Sequence, residues 1–172
     1  MINYDLTQVK ALMLDVDGVL SKATVGMDAQ GVPMRTVNVK DGFAIQLAVK
    51  LGLGVAIITG GRSDAIQKRY NGLGVEDVFM GCNMKIHVYE SLLERYGIED
   101  RNVAYIGDDI PDYEIMNRCG CGCCPVDAVP EIKAVSRYIS PFRGGEGCVR
   151  DVLEQILKAK GQWTLDKRAF GW

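Results

Sequence analysis

The chain has 172 residues, 48% of them hydrophobic, and a formal net charge of −2; that length suits one domain with a core of its own. Charges of both signs are dispersed, which argues against a nucleic-acid surface, and no apolar run approaches the ~20 residues that a bilayer span needs. The first residues, Met-Ile-Asn-Tyr-Asp, lack the basic and apolar regions of a signal peptide, so a cytoplasmic protein without a membrane partner is expected.

In chain order, residues 9–14 form an apolar run that reads as a buried strand, and Asp15-Val-Asp17-Gly18 follows it directly. Side chains alternate along an extended chain, so Asp15 and Asp17 face one crevice. Two like charges at the edge of a core are unfavourable unless a cation or a reaction uses them. Gly18 then lets the backbone turn away with positive φ. Residues 24–28 and 34–39 read as two strands with turn residues between them, a β-hairpin. A helix near 42–51 precedes an apolar strand at 55–58, one near 63–73 precedes 77–80, and one near 84–96 precedes 103–106. A short helix near 111–118, a cysteine-rich strand, short units at 129–135 and 138–139, and a helix near 147–160 follow.

Continuously apolar strands alternating with amphipathic helices predict an α/β fold, a doubly wound, Rossmann-like parallel sheet covered on both faces. The expected organisation is a single domain over 1–172 with a hairpin insertion at about 22–39 and a C-terminal tail at about 161–172. Trp163, Phe170 and Trp172 make that tail too apolar for an idle terminus, which predicts docking. Lys167-Arg168 reads as part of a solvated tail or as a reach toward a neighbouring subunit's site.

Six cysteines are present, four of them in Cys119-Gly-Cys121-Gly-Cys123-Cys124. Zinc knuckles pair C-x-x-C units, whereas this spacing is mostly i, i+2 with no second pair, and the single histidine, His87, is distant in sequence. Reduced cysteine packs as a small hydrophobe, so a short buried strand is the expectation.

In open α/β sheets ligands bind at the carboxyl ends of the strands. Those ends carry Asp15 and Asp17, then Thr59-Gly60-Gly61-Arg62, then Gly81 leading to Lys85, then Gly107-Asp108-Asp109 with Asp112 beyond. Each signal alone is weak, since a Gly-Asp-Asp is often a helix cap and a helix lysine is usually solvated; their conjunction in this order points to phosphoryl transfer. Three carboxylates suit a hard cation such as Mg²⁺, while a lysine and a threonine hydroxyl suit phosphoryl oxygens. An aspartate can attack phosphorus, and a second one can protonate the leaving oxygen and then activate water. No Gly-x-x-x-x-Gly-Lys-Ser/Thr loop is present, which disfavours a nucleotide-driven P-loop enzyme.

Asp15-Val-Asp17-Gly-Val, Thr59, Lys85 and Gly107-Asp-Asp-Ile-Pro-Asp112 resemble the four motifs of the haloacid dehalogenase superfamily. The resemblance implies Asp15 as nucleophile, Asp17 as general acid/base, and Thr59 and Lys85 as phosphoryl binders. It implies Mg²⁺ held by Asp15, the Asp17 backbone carbonyl and Asp108, with Asp109 and Asp112 supporting. The spacings leave no room for a cap domain. Val39-Lys-Asp41-Gly-Phe43, Thr59-Gly-Gly-Arg-Ser63 and Phe142-Arg-Gly-Gly-Glu-Gly147 with Arg150 are similar to the capless 3-deoxy-D-manno-octulosonate 8-phosphate phosphatases of lipopolysaccharide sugar biosynthesis. That likeness implies a sugar-acid phosphate substrate, a homotetramer in which hairpins pack together, and Arg62, Asp41 and Gly60 as substrate-binding residues. A guanidinium at Arg62 fits a sugar-acid carboxylate. Phosphatases for the nine-carbon 2-keto-3-deoxynonulosonate 9-phosphate typically carry a glutamate where Gly61-Arg62 stands, which favours the octulosonate; the nine-carbon ester or another small sugar phosphate is the alternative. A phospho-receiver domain shares the residue types, but its acidic pair precedes the phosphorylated Asp by about a sheet unit.

Overall fold

The computed structural model describes residues 1–163 and 167–171. Eight strands and six α-helices alternate through it: β1 (Ala11–Leu14), β2 (Gly26–Met27), β3 (Pro33–Met34), α1 (Val39–Lys50), β4 (Gly54–Ile58), α2 (Asp64–Asn71), β5 (Asp77–Phe79), α3 (Lys85–Tyr96), β6 (Val103–Ile106), α4 (Tyr113–Arg118), β7 (Cys121–Cys124), α5 (Pro130–Val135), β8 (Tyr138–Ile139) and α6 (Cys148–Ala159). Six strands make one parallel sheet in the order β5-β4-β1-β6-β7-β8, and β2 and β3 pair separately as an antiparallel hairpin. The chain builds outward from β1 on one side and then crosses to β6 on the other. This places a topological switch point beside the carboxyl end of β1, where such sheets open a crevice.

Both faces of the sheet are covered, which explains the unbroken apolar strands. Leu12 and Leu14 of β1 pack with Ile45 of α1, Tyr70 of α2 and Val152 of α6, whereas Ala11 and Met13 pack with Tyr89 of α3, Ile115 of α4 and Ile132 of α5. The cysteine strand follows the same rule: Cys121 and Cys123 join the first layer and Cys124 the second, all fully buried. All six cysteines are free thiols, and no described helix is long and apolar enough to cross a membrane.

Element boundaries differ from the sequence expectation at several points. Helix α1 starts at Val39, ahead of the expected 42, because Asn38 caps it, its side-chain oxygen accepting from the amides of Lys40 at 2.9 Å and Asp41 at 3.3 Å. The hairpin strands are shorter than 24–28 and 34–39. The helix expected at 111–118 opens as a 3-10 turn, Ile110–Asp112, before the α-helical part.

The tail docks on its own chain. Trp163 is buried edge-on against Phe43 with ring centroids 6.2 Å apart, and the Arg150 guanidinium lies 4.3 Å over the Trp163 ring. A 3-10 turn at Lys167–Phe170 buries Ala169, and Arg168 donates to the Lys50 carbonyl at 3.0 Å. Arg168 is thus held on α1, Phe170 is exposed, and Trp172 lies outside the described residues.

Candidate active site

Four strand ends converge on a crevice of about 380 Å³ lined by Asp15, Asp17, Thr59, Lys85, Asp108 and Asp112, with Gly60, Gly61 and Asp109 at its walls. Asp15 follows β1 and is held by its own amide, which donates to the Ile106 carbonyl of β6 at 3.1 Å. Asp17 remains half-buried on the same side. Lys85 opens α3, and although it is an ammonium it is only 6% exposed. Such burial is tolerated because its Nζ bridges two carboxylates, Asp15 Oδ1 at 2.8 Å and Asp112 Oδ1 at 2.7 Å. Their charges also push the lysine pKa up despite its burial.

Asp112 is spent on the protein itself. Its Oδ1 accepts from Lys85 and from the Tyr105 hydroxyl at 2.6 Å, and its Oδ2 accepts from the Asp108 amide at 3.2 Å. That grip orients the Asp108 loop. Gly107 makes it possible, because a Cβ there would stand 2.5 Å from the Asp112 side chain. Asp108 itself keeps Oδ1 buried without a partner among the described residues.

Crowding shows in the acidities. Burial first, and then the Asp112 charge, raise Asp15 to about 7 even with Lys85 alongside. Burial and then the charges of Asp15, Asp112 and Asp109 raise Asp108 to about 8. Carboxyl oxygens of Asp15, Asp108 and Asp112 lie within 4.8 Å of one another. An orphaned buried oxygen beside a second strained carboxylate is the donor set a hard divalent cation takes, so the residues fit Mg²⁺. The side-chain cluster contains Asp112 rather than Asp17, whose carboxylate points instead to Arg35.

Thr59 follows β4, is buried, and its Oγ1 accepts from the Gly61 amide at 3.1 Å, which leaves its proton to donate into the crevice. Gly18 adopts φ 87° and packs so tightly that a Cβ would fall 1.9 Å from Asp108 Oδ2. Behind it, the Gly144 backbone approaches until a Cβ there would lie 1.8 Å from the Gly18 carbonyl oxygen, so Gly144 backs the nucleophile loop.

Two of the expected substrate-binding residues sit elsewhere. Asp41, in the first turn of α1, is buried against the start of α6, where its Oδ1 accepts from the Arg150 amide at 2.7 Å, and burial raises it to about 6; the sequence reading placed it at the substrate, whereas the fold uses it to cap α6. Arg62 is exposed and folds over Gly81, where a Cβ would come within 2.2 Å of its Cζ, outside the crevice lining. Gly60 does line the crevice, and Asp109 caps the following turn with its Oδ1 accepting from the Ile110 amide at 2.8 Å. Sequence reasoning missed Tyr105, whose place in an apolar strand hides its hydroxyl, and Arg35, whose hairpin position has no spacing relation to Asp17.

Comparison with known proteins gives one consistent answer. The profile of the haloacid dehalogenase-like hydrolases matches residues 84–150. The 3-deoxy-D-manno-octulosonate 8-phosphate phosphatase of Escherichia coli K12 is 36% identical over 154 residues, covering 90% of this chain and 82% of its own. The crystal structure of the enzyme of that name from Yersinia pestis superposes with a TM-score of 0.88 at 34% identity, covering 92% of this chain and 85% of its own. That from Moraxella catarrhalis, solved with magnesium, phosphate and KDO, gives 0.86 at 35% identity over 90% of this chain and 89% of its own.

Proposed function

The chain belongs to the 3-deoxy-D-manno-octulosonate 8-phosphate phosphatase family of the haloacid dehalogenase-like hydrolases, and on that footing we propose that it hydrolyses this eight-carbon sugar-acid phosphate in lipopolysaccharide sugar synthesis. The observation that carries the proposal is the buried Lys85 bridge between Asp15 and Asp112, with a buried, unpartnered oxygen on Asp108, which lines the same crevice. An ammonium so placed neutralises a nucleophile without occupying its outward oxygen.

Asp15 attacks phosphorus, forming its own acyl-phosphate bond as the bond to the sugar oxygen breaks. Lys85 fixes the direction of the attacking carboxylate, and Thr59 donates its hydroxyl proton to a phosphoryl oxygen. Asp17 gives a proton to the departing sugar oxygen and then takes one from the water that cleaves the aspartyl phosphate, releasing inorganic phosphate and restoring Asp15. Mg²⁺ held by Asp15, Asp108 and the Asp17 carbonyl would offset the mutual repulsion of carboxylates and phosphate when bound. Gly60 offers backbone at the crevice wall, and Arg62, which follows the Gly60-Gly61 wall in sequence but lies against Gly81, is the proposed partner of the substrate carboxylate once substrate is bound.

A homotetramer is proposed with the hairpin as its contact, since Met27, Val32, Met34 and Val37 around β2 and β3 are each about half or more exposed. A cytoplasmic setting fits the six free thiols. Phosphate release from a panel of sugar-acid phosphates, with Mg²⁺ supplied and then chelated, tests the reading. Metal-dependent turnover fastest on the eight-carbon ester is expected; equal or faster turnover of the nine-carbon ester overturns the substrate, and undiminished activity in chelator overturns the metal.

A further inference from the structure

Asp17 does not stand free in the crevice. Arg35, one residue beyond β3, reaches across from the hairpin and grips it side-on, with Nε 2.7 Å from Oδ1 and the second nitrogen, NH2, 2.8 Å from Oδ2. The arginine side chain is 12% exposed and that of Asp17 42%. Room for this fork exists because residue 61 is glycine: a Cβ there would stand 2.5 Å from the arginine NH2 and 3.3 Å from Asp17 Oδ2. The remaining nitrogen, NH1, is buried with no acceptor among the described residues. Burying a guanidinium with a donor unspent is unfavourable, so stability alone is a poor account of the arrangement.

A half-exposed carboxylate on a single-bond pivot samples several orientations, and proton transfer tolerates little misplacement: about 1 Å costs on the order of 10²-fold in rate. A bidentate guanidinium fixes a carboxylate in plane as well as in distance, which a single ammonium does not. From this geometry, and resting on the phosphatase reading above, we infer that Arg35 is the positioning residue for the proton-transferring Asp17. The hairpin thereby becomes part of the active site, beyond the contact that Ala23 of the same insertion makes with the crevice. Gly61 serves the same end by leaving the space through which the fork passes.

Leaving-group chemistry separates positioning of an acid from binding or folding. A sugar alkoxide must receive a proton as it departs, whereas p-nitrophenolate leaves without one. The kcat/KM of each ester reports the steps through aspartyl-phosphate formation. For Arg35→Ala, kcat/KM on 3-deoxy-D-manno-octulosonate 8-phosphate is expected to fall about 10²-fold, the size of a lost general acid. On p-nitrophenyl phosphate it should change by less than about 3-fold, which also certifies a folded site. Arg35→Lys, restoring one contact of two, should recover part of the loss. An equal fall on both esters, or no fall on the sugar phosphate, overturns the inference. A wild-type protein inert toward both esters overturns the phosphatase reading itself.

Discussion

Replacing Lys85 by methionine removes the ammonium while keeping an unbranched, helix-compatible side chain of similar length, and its consequences can be worked out from the site. In the native protein the Lys85, Asp112 and Asp15 side chains are 5%, 1% and 10% exposed, so water cannot take over the lost contacts. Asp112 keeps the Tyr105 hydroxyl and the Asp108 amide, and the charge left uncompensated is chiefly that of Asp15. Breaking a buried ion pair from one side destabilises by roughly 3–5 kcal/mol. For a chain of this size that corresponds to roughly 6–20 °C in Tm.

The loss should depend on pH, with a definite sign. Lys85 has its pKa raised above 10.5, so its own stabilising contribution is undiminished up to that value and constant between pH 6 and 8.5. Asp15 and Asp108 behave oppositely to ordinary paired carboxylates, being raised from 3.8 to about 7 and about 8. From about pH 4 up to those values the folded state binds more protons than the unfolded one, so stability falls as pH rises through that window. Without Lys85 the Asp15 acidity weakens further, and at pH 6 the group relieves its burial by protonation. Denaturant unfolding in chelator should therefore show the full 3–5 kcal/mol loss at pH 8.5 and no more than about half of it at pH 6. Turnover should fall by at least about 10² at either pH. A stability loss identical at both pH values, or absent at pH 8.5, would refute the reasoning that Lys85 compensates buried carboxylate charge.

Asp15→Asn should abolish phosphate release while raising Tm at pH 8.5, since it removes one of three crowded charges; a lowered Tm with native-like circular dichroism would contradict that electrostatic account. Mg²⁺ should stabilise the wild-type protein by about 2.7 kcal/mol at a hundredfold excess over Kd at pH 8.5. At pH 5.5 it should do far less, because protons hold Asp15 and Asp108; calorimetric binding of equal strength at both pH values would count against these ligands. Cys123→Ala should cost about 1 kcal/mol of stability as a lost buried group with phosphatase kcat unchanged, and elemental analysis should find no zinc; stoichiometric zinc in the purified protein would reverse the structural reading of the cysteine strand.

The parts of the site that sequence made legible are those tied to a repeating geometry. A parallel sheet puts every carboxyl strand end on one edge, so Asp15, Thr59, Lys85 and Asp108 had to meet once β1, β4, β5 and β6 were recognised as neighbouring parallel strands. The cysteine strand was legible for the same reason, because burial on two faces asks only for small apolar residues. What stayed hidden depends on contacts between segments with no common period. Arg35 reaches Asp17 across a hairpin, Tyr105 spends its hydroxyl inside an apolar layer, and Asp41 was drawn toward the substrate by its neighbours in sequence when its carboxylate in fact caps α6. Arg62 follows a strand end, yet its guanidinium lies against Gly81, in space that any Cβ there would take, and not among the residues lining the crevice.

Charge balance explains why these pieces form a working site and not a merely tolerated cluster. Arg35 answers Asp17, and Lys85 is shared between Asp15 and Asp112, which leaves the Asp108 carboxylate without a compensating cation and Asp15 half-compensated. A phosphate ester entering such a crevice adds about two more negative charges near neutral pH, and the repulsion between Asp15 and phosphorus-bound oxygens would grow as they approach. Protons can lower that repulsion, as the raised acidities of Asp15 and Asp108 record, but a protonated Asp15 is no nucleophile. A divalent cation beside the same oxygens removes the repulsion while leaving Asp15 ionised. The site's deficit of positive charge is therefore the physical reason that its chemistry calls for a metal, and the tight packing of Gly18 against Asp108 keeps that deficit at one fixed place.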